Sequence, residues 1–437
     1  MRSRLLWRRS ATAVGIYSAT ILGFLGTLLA ARALEPAEFG LLAIVVAATG
    51  FFQSFLDVTA EEAVIKYGFR YTTGDEWGKL RRLFGRALQA KAAGSVLGGL
   101  ALVGLAPLAR WLFGSDDLFW PLVISGLLPI VQAPEGLAGV AIVLRGRYDI
   151  RSWFLALSMG LRCLALGIGS RYGVTEAVVA VVAAQAVAST AIGFAGVAAF
   201  RRFPSAPVER LGDDRRSILS FVGQSTVATT VLSLRGTFGP LLLGVVTAPL
   251  QVGYFRTAQA PQSALASLSA PVRLILLTEQ TRDWERGERQ TVFAGVRRYT
   301  VGAAAAAAVA VPPLLVFMPD VIRLLYGARY LPATDAARLL LAAGAIAVVI
   351  GWTKSLPVSI GRPGLRVVTH GIETAVFIPL VVVFGAAWDA TGAAAAVLIS
   401  TCVFAAVWAV LLARVRGAVE SAPAEAAAVE IEEALVP

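Results

Sequence analysis

The stretch Ala31-Arg-Ala-Leu-Glu-Pro-Ala-Glu-Phe-Gly-Leu41 separates two long apolar runs, and it predicts a tight turn at a membrane surface. A related stretch, Ala248-Pro-Leu-Gln-Val-Gly-Tyr254, stands much later in the chain, where Pro249 matches Pro36 and Gly253 matches Gly40. Two such turns at equivalent places indicate that the chain contains an internal repeat.

The composition around these turns is that of a membrane protein. The 437 residues are 57% hydrophobic and only 15% charged, with a mean hydropathy of +0.72. Soluble domains carry about 25% charged residues, so a soluble protein is excluded. We predict an all-α polytopic protein, because apolar runs long enough to cross a ~30 Å hydrocarbon core follow one another almost without pause. The twelve predicted spans are 11–31, 38–60, 92–113, 119–144, 152–170, 175–200, 217–246, 249–277, 295–318, 335–358, 366–388 and 391–413.

The basic residues alternate between the two sides of these spans. Of the 39 Lys and Arg residues, 29 fall in segments on the side of the N-terminus and six in segments on the opposite side. The positive-inside rule then places both termini in the cytoplasm, and we predict a multi-pass protein of the bacterial plasma (inner) membrane. A nucleic-acid-binding surface would not alternate in this way, so the net charge of +11 does not indicate such a partner.

Two further matches support the repeat. The segment 108–114 matches 321–327, and Gly-Arg-x-x-x-Arg at 146–151 recurs at 361–366. Each half has six spans, so the repeat is parallel, with a pseudo-two-fold axis along the membrane normal. We predict a six-helix lobe over 1–200, a cytoplasmic linker over 201–216, a second six-helix lobe over 217–413 and an acidic cytoplasmic tail over 414–437.

The motifs at these places resemble those of a known family. They are Leu-x-Pro-x-Glu-Phe-Gly over 34–40, Gly-Tyr at 253–254, Ile-Arg-Leu-Leu-Tyr-Gly-Ala-Arg-Tyr-x-x-Ala over 322–333 and Gly-Arg-Pro at 361–363. Together they are similar to the polysaccharide transporter family, the Wzx-type flippases of the multidrug/oligosaccharidyl-lipid/polysaccharide (MOP) exporter superfamily. The resemblance covers residues 10–413.

The resemblance implies two six-helix lobes in a V around a cavity lined by the first, second, seventh and eighth spans. It also implies a polyprenyl-pyrophosphate-linked oligosaccharide as substrate, flipped from the cytoplasmic to the outer leaflet by alternating access for cell-surface polysaccharide biosynthesis. The implied partners are this lipid-linked substrate, membrane lipids, and a polymerase or glycosyltransferases of the same pathway.

Three other functions stay open. The lipid II flippases of the superfamily have fourteen spans and two arginines flanking a Leu-Gly-Phe in the first span, where this chain has Thr20 and Gly26. A cation-coupled multidrug antiporter would need an acidic cavity, whereas the deep charges on the seventh and eighth spans are basic. A membrane glycosyltransferase or polymerase would need a large outer loop with catalytic residues, so we predict a protein that is not an enzyme.

Polar residues inside the spans are the candidate site residues, because a charge in hydrocarbon costs about 2.5–3.5 kcal/mol on insertion scales. Arg235 and Arg256 lie deep in the seventh and eighth spans, with Gln259 one turn after Arg256 and Tyr254 nearer the mouth. Such a cationic face suits pyrophosphate oxygens and sugar hydroxyls, since Arg binds phosphate in a bidentate fork. The alternative is that both arginines hold helices together.

Four further residues complete the candidate set. Asp57, at the end of the second span, is a candidate for a gate, a proton site or an ion-pair partner. Lys354, His370 and Glu373 lie at comparable depth on the tenth and eleventh spans, either as a buried Lys–Glu pair or as an ion- or proton-coupling group.

We predict that Arg32, on the first turn, lies at the outer mouth of the cavity. The two repeated turns join the spans that line the cavity, so we expect them to form an outer gate. A single histidine makes no metal site, since zinc requires about four ligands, and we predict neither a metal nor a cofactor.

Overall fold

The computed structural model describes residues 2–56, 60–268, 270–362 and 364–421. All regular structure in this part of the chain is helical, which confirms the all-α prediction. The α-helices are α1 (Arg2–Ala33), α2 (Pro36–Leu56), α3 (Ala60–Thr73), α4 (Trp77–Leu105), α5 (Ala109–Phe113), α6 (Phe119–Ser125), α7 (Leu127–Leu144), α8 (Tyr148–Gly169), α9 (Val174–Arg201), α10 (Asp214–Val246), α11 (Pro249–Leu268), α12 (Ala270–Glu285), α13 (Arg289–Val316), α14 (Met318–Tyr326), α15 (Thr334–Val349), α16 (Leu356–Ser359) and α17 (Gly364–Ser421).

Nine helical segments of the described residues are long and apolar enough to cross a membrane. One of them, Gly364–Arg414, covers both the eleventh and the twelfth predicted spans. The seventh predicted span corresponds to α10, whereas the eighth, over 249–277, is divided between α11 and the start of α12. The polytopic membrane fold that the apolar runs predict is therefore confirmed.

The turn between α1 and α2 has the chemistry of a helix start. Pro36 is the first residue of α2, where its missing N–H costs no hydrogen bond. The Glu38 carboxylate accepts a hydrogen bond from the Glu35 backbone N–H at 3.1 Å, as the third residue does in a capping box. The second helix therefore begins at the residue that the sequence motif marks.

The tenth span is shorter than the sequence indicates. Its helix, α15, ends at Val349, and a 3-10 turn over Gly351–Lys354 and the short α16 follow it. The Tyr299 hydroxyl donates to the carbonyl oxygen of Val348, in the last turn of α15, at 2.7 Å, whereas Pro357 stands in the first turn of α16, where its missing N–H costs no helical bond. The apolar run continues through this break because hydropathy does not register backbone geometry.

The matched positions of the repeat share backbone features. Gly114 and Gly327 both have positive φ, of 66° and 96°, and each directly follows a short helix, α5 or α14. Gly146 and Gly361, the first residues of the repeated Gly-Arg motif, also have positive φ, of 69° and 75°. The matched glycines thus share a positive φ, but ψ is 17° at Gly114 and 169° at Gly327, so these two turns differ.

The chain divides into two compact units, Met1–Gly253 and Tyr254–Pro437. In the first unit the linker packs on α4, with the Trp77 and Phe203 rings 5.8 Å apart and an Arg81 N–H donated to the Pro204 carbonyl oxygen at 3.2 Å. α10 also belongs to this unit. The predicted lobes over 1–200 and 217–413 follow the sequence repeat instead, and that division stays a prediction.

The second unit has a core of its own near the end of α15. Aromatic and aliphatic side chains from α13, the 3-10 turn, α16 and α17 form it, namely Val292, Val296, Trp352, Leu356, Phe404 and Trp408.

Candidate functional site

The two repeated turns lie against each other within the first unit. A Cβ atom on Gly40 would meet the Pro249 carbonyl oxygen and lie 3.0 Å from the Gly253 nitrogen. Reciprocally, a Cβ atom on Gly253 would meet the Pro36 carbonyl oxygen and lie 3.2 Å from the Gly40 nitrogen. Only glycine allows this approach of backbone to backbone. The two sides of the gate that the sequence predicts are therefore in contact in this structure.

α10 continues this contact along α2. The Thr230 hydroxyl donates to the Ser54 carbonyl oxygen at 2.7 Å, and the Phe51 and Phe238 rings are 4.8 Å apart. Arg235 lies on α10 between Thr230 and Phe238, but its side chain is outside the described part of the structure. Its predicted role in substrate binding stays a prediction.

Arg256 lies two turns into α11 and is partly exposed. One of its guanidinium N–H groups donates to the Gln259 side-chain oxygen at 2.9 Å, as the one-turn spacing predicts. No salt bridge to a carboxylate is found for Arg256 among the described residues. A guanidinium has five N–H donors, so this pairing leaves capacity for further acceptors.

Three tyrosines surround the same region of the second unit. The Tyr254 ring is 6.4 Å from the buried Tyr330 ring, which in turn lies 5.8 Å from Tyr326. Burial raises the pKa of the Tyr326 hydroxyl to about 12, although the nearby positive charge of Arg256 opposes the shift. The predicted residues Tyr254, Arg256 and Gln259 therefore share one polar and aromatic region, to which α14 contributes Tyr326.

Two candidate residues lie elsewhere. Asp57 is outside the described residues. Arg32 is exposed in the last turn of α1, beside the first repeated turn. Both its placement at the outer mouth and its function stay predictions.

His370 and Glu373 form a pair on α17. The His370 Nδ1 atom is 2.9 Å from a Glu373 carboxylate oxygen, and the imidazole stacks on Phe404 with ring centres 4.8 Å apart. Glu373 is buried, and Lys354 lies at the end of its 3-10 turn. The buried carboxylate thus contacts the single histidine, and both the predicted Lys354–Glu373 pair and the coupling role stay predictions.

A polar cavity of about 650 Å³ inside the first unit escaped the sequence analysis. Its ion pairs join three helices, because the Lys91 ammonium lies 3.0 Å and the Arg151 guanidinium 3.9 Å from the Glu61 carboxylate. Packing of α3 against α4 and α7 brings Glu61 to a cavity wall, where the Arg151 side chain of α8 also reaches it.

A second cluster of polar side chains in this cavity contains one carboxylate, that of Glu135, and otherwise neutral side chains. Glu135 accepts hydrogen bonds from the Gln185 amide at 2.6 Å and from the Ser189 hydroxyl at 3.2 Å. The Gln53 amide donates to the Gln132 oxygen at 2.7 Å. The signal that could have found these residues is the same one used for Arg256, namely a polar side chain inside an apolar run.

Comparison with known proteins agrees with this geometry. The model of a family described as polysaccharide biosynthesis protein matches residues 29–335. The inner membrane protein YghQ of Escherichia coli (strain K12) is 25% identical over 337 residues, which are 72% of this chain and 90% of that protein.

Two solved structures share the fold. An inward-facing multidrug resistance MATE family transporter of the MOP superfamily superposes with a TM-score of 0.72 at 14% identity, over 92% of this chain and 96% of that one. The lipid II flippase MurJ in an inward closed conformation superposes with a TM-score of 0.68 at 11% identity, over 97% and 90%. The MOP-type fold that the motifs imply is confirmed.

Proposed function

The chain belongs to the polysaccharide biosynthesis protein family, and on that premise we propose that it flips a polyprenyl-pyrophosphate-linked oligosaccharide across the bacterial inner membrane. The direction is from the cytoplasmic to the outer leaflet. Support comes from the MOP-type fold and from the Escherichia coli relative, whose name places it in the inner membrane. Polymerases and glycosyltransferases that build and use the oligosaccharide are the expected partners.

The Arg256–Gln259 pair is the observation that supports a pyrophosphate-linked substrate. A transporter for a pyrophosphate must offer positive charge inside the membrane, where a charge is costly unless it has a function or a partner. Arg256 satisfies this condition, since its hydrogen bond goes to the neutral Gln259 at 2.9 Å. Its remaining N–H donors match the geometry of phosphate oxygens, and the nearby tyrosines suit sugar rings.

Alternating access requires that the two repeated turns separate. Gly40 and Gly253 hold them together in the present state through backbone contacts. When the two turns separate, solvent or the cargo takes the place of these backbone contacts. Arg256 meanwhile keeps the pyrophosphate away from the hydrocarbon. The lipid tail stays in the bilayer throughout.

The test is transport by the purified protein in proteoliposomes, with a fluorescent polyprenyl-pyrophosphate-linked oligosaccharide. We expect Arg256→Ala to lower the initial flipping rate by at least about tenfold, which corresponds to about 1.4 kcal/mol. Arg256→Lys should restore only part of the rate, because an ammonium lacks the bidentate fork. Arg297→Ala is the matched control, since it removes an exposed positive charge at the start of α13.

The outcomes separate the function from the site. A wild-type protein that moves no lipid-linked oligosaccharide contradicts the proposed function. A wild-type rate in Arg256→Ala leaves the function standing and contradicts the site.

Cation-coupled export of drugs is the second candidate function. The carboxylates of Glu61 and Glu135 at the cavity of the first unit favour it, because coupling to a cation needs an acidic group inside the membrane. A fluorescent cationic dye distinguishes the two, since an antiporter extrudes it against a gradient in the same proteoliposomes. We expect no dye transport.

A further inference from the structure

A second cavity of about 910 Å³ lies in the first unit, where α3, α4, the end of the linker and the start of α10 meet. Four arginines line it, two from α4 (Arg82 and Arg86) and two from the end of the linker and the first turn of α10 (Arg210 and Arg215). We call this cavity the arginine pocket. It contains none of the residues assigned to substrate binding above.

The four arginines of the pocket are not held in ion pairs of their own. Among the described residues, no carboxylate forms an ion pair with Arg82, Arg86, Arg210 or Arg215. Arg86 donates to the neutral Gln89 side chain at 3.3 Å. Neighbouring basic residues behave differently, since Arg70 pairs with Asp214 at 3.2 Å and Lys79 with Glu76 at 3.1 Å. Four like charges around one cavity repel one another unless an anion lies between them.

The floor of the arginine pocket is apolar. It is formed by the buried side chains of Val64, Leu83 and Ile218 and by Leu219, which is 61% exposed. A small soluble anion gains nothing from such a floor. An amphiphile gains from both parts, because its charged group meets the arginines while its chains cover the apolar surface.

The depth of the pocket in the membrane fits an amphiphile as well. Arg82 and Arg86 precede the apolar part of α4, and Arg215 precedes Ile218 by one turn at the start of α10. On the predicted orientation, this end of α4 and α10 lies at the level of the cytoplasmic lipid head groups, and the following turns lie among the acyl chains. Basic pockets between transmembrane helices bind anionic lipid head groups in this way.

We propose that the arginine pocket binds the phosphate of a membrane lipid, either a phosphate ester or a diphosphate, whose chains lie along α4 and α10. Each guanidinium offers a bidentate donor pair to phosphate oxygens. The linker helps to form the pocket through Arg210, so the bound lipid fastens the linker to α4. This inference does not depend on which cargo the protein flips.

The test measures lipid binding to the purified full-length protein in neutral detergent by native mass spectrometry. The probes are phosphatidylglycerol, zwitterionic phosphatidylcholine, a polyprenyl diphosphate and inorganic phosphate. We expect phosphatidylglycerol to bind and the double variant Arg82→Gln/Arg86→Gln to weaken its binding by about tenfold or more. The control is Arg201→Gln/Arg202→Gln, which removes two exposed charges at the end of α9, outside the pocket, and should change binding less than twofold.

Two further variants keep the test decisive. If the first double variant does not fold, Arg210→Gln/Arg215→Gln removes the same charge from the other wall. Leu219→Asn tests the apolar floor, and it should weaken lipid binding without changing the thermal stability of the lipid-free protein, because this side chain is exposed.

The outcomes identify the source of the phosphate. If the polyprenyl diphosphate competes more strongly than phosphatidylglycerol, the pocket binds lipids of the same class as the proposed cargo. If phosphatidylglycerol competes more strongly, the pocket binds a bulk anionic lipid. Both results support the proposal. Equal binding of phosphatidylcholine, displacement by inorganic phosphate at the same concentration as lipid, or equal effects of the pocket and control variants would overturn it.

Discussion

Gly40 and Gly253 occupy equivalent places in the two copies of the turn, and each faces the backbone of the other copy. A methyl group at Gly40 would collide with the Pro249 carbonyl, and backbone yields less readily than a side chain. We expect Gly40→Ala to lower the free energy of unfolding by about 1–3 kcal/mol, the usual cost of overpacking. Thermal unfolding in detergent measures it.

Gly104→Ala is the matched control for this variant. A Cβ atom at Gly104 meets nothing within 4 Å, so alanine should leave stability unchanged or raise it by up to about 1 kcal/mol. Equal unfolding midpoints for the two variants would show that the turns are not packed as the structure has them.

Tyr71 connects α3 to α10 through a hydrogen bond that depends on pH. Its hydroxyl donates to the Asp214 carboxylate at 3.0 Å. Burial, and then this hydrogen bond, raise the pKa of Tyr71 above its usual value of about 10. Below about pH 10 the tyrosine is protonated in both the folded and the unfolded protein, so the hydrogen bond stabilises the fold fully. Above that pH the unfolded state loses its proton before the folded state does, and the stabilisation is lost.

We therefore expect the free energy of unfolding to fall as the pH rises above about 10, and Tyr71→Phe to flatten that fall. Unfolding curves between neutral and alkaline pH measure the slope. Tyr148→Phe, at an exposed tyrosine on α8, serves as the control and should keep the wild-type slope. The same slope in Tyr71→Phe would contradict the assignment.

At the scale of elements, α17 contains the chain reversal between the last two predicted spans. Asp389 adopts φ 53° and ψ −137°, a conformation that is costly for any residue with a Cβ atom. The reversal is tight, since a Cβ atom on Gly392 would meet the Phe384 carbonyl oxygen. The sequence places the boundary between the eleventh and twelfth spans at 388–391, and the structure places the break within that interval, at Trp388 and Asp389.

We expect Asp389→Gly to raise the free energy of unfolding by about 1 kcal/mol, because glycine relieves the strain at this φ. Ala387→Gly, two residues earlier in ordinary helix, should lower it by about 0.5–1 kcal/mol. Thermal unfolding of the pair tests the assignment, and it fails if both glycines destabilise.

Two helices also show where local patterns stop being informative. The apolar run over 335–358 continues past Val349, where α15 ends and a 3-10 turn follows. Glu61 is not marked by any sequence pattern, yet its carboxylate lies 3.0 Å from Lys91 in a cavity. The spacing of polar and apolar residues along one helix indicates which residues share a face. What that face contacts depends on the neighbouring helices.

At the scale of the whole molecule, the distribution of basic residues predicts the orientation in the membrane. We expect a cysteine at Ser205 in the linker to face the cytoplasm and one at Tyr172, between α8 and α9, to face outward. An impermeant maleimide on intact spheroplasts tests both in a background with Cys163 and Cys402 replaced by alanine. Tyr172→Cys should react at once and Ser205→Cys only after permeabilisation; the opposite pattern would contradict the orientation.

The sequence by itself determined the class of protein, the positions of most spans and the family. These properties reside in local composition and in motifs that are short along the chain, such as Pro36 and Gly40 with their counterparts. It also singled out Arg256 and Gln259, because their one-turn spacing on a single helix fixes their hydrogen bond.

Only the tertiary structure decided which distant polar groups meet. Lys91 with Glu61, Glu135 with Gln185, and the arginines of α4 with those of α10 come from separate helices. Their contact depends on the rotation and depth of each helix against its neighbours. Those quantities are set by packing of small and large side chains between helices, as at Gly40, and no local pattern contains them.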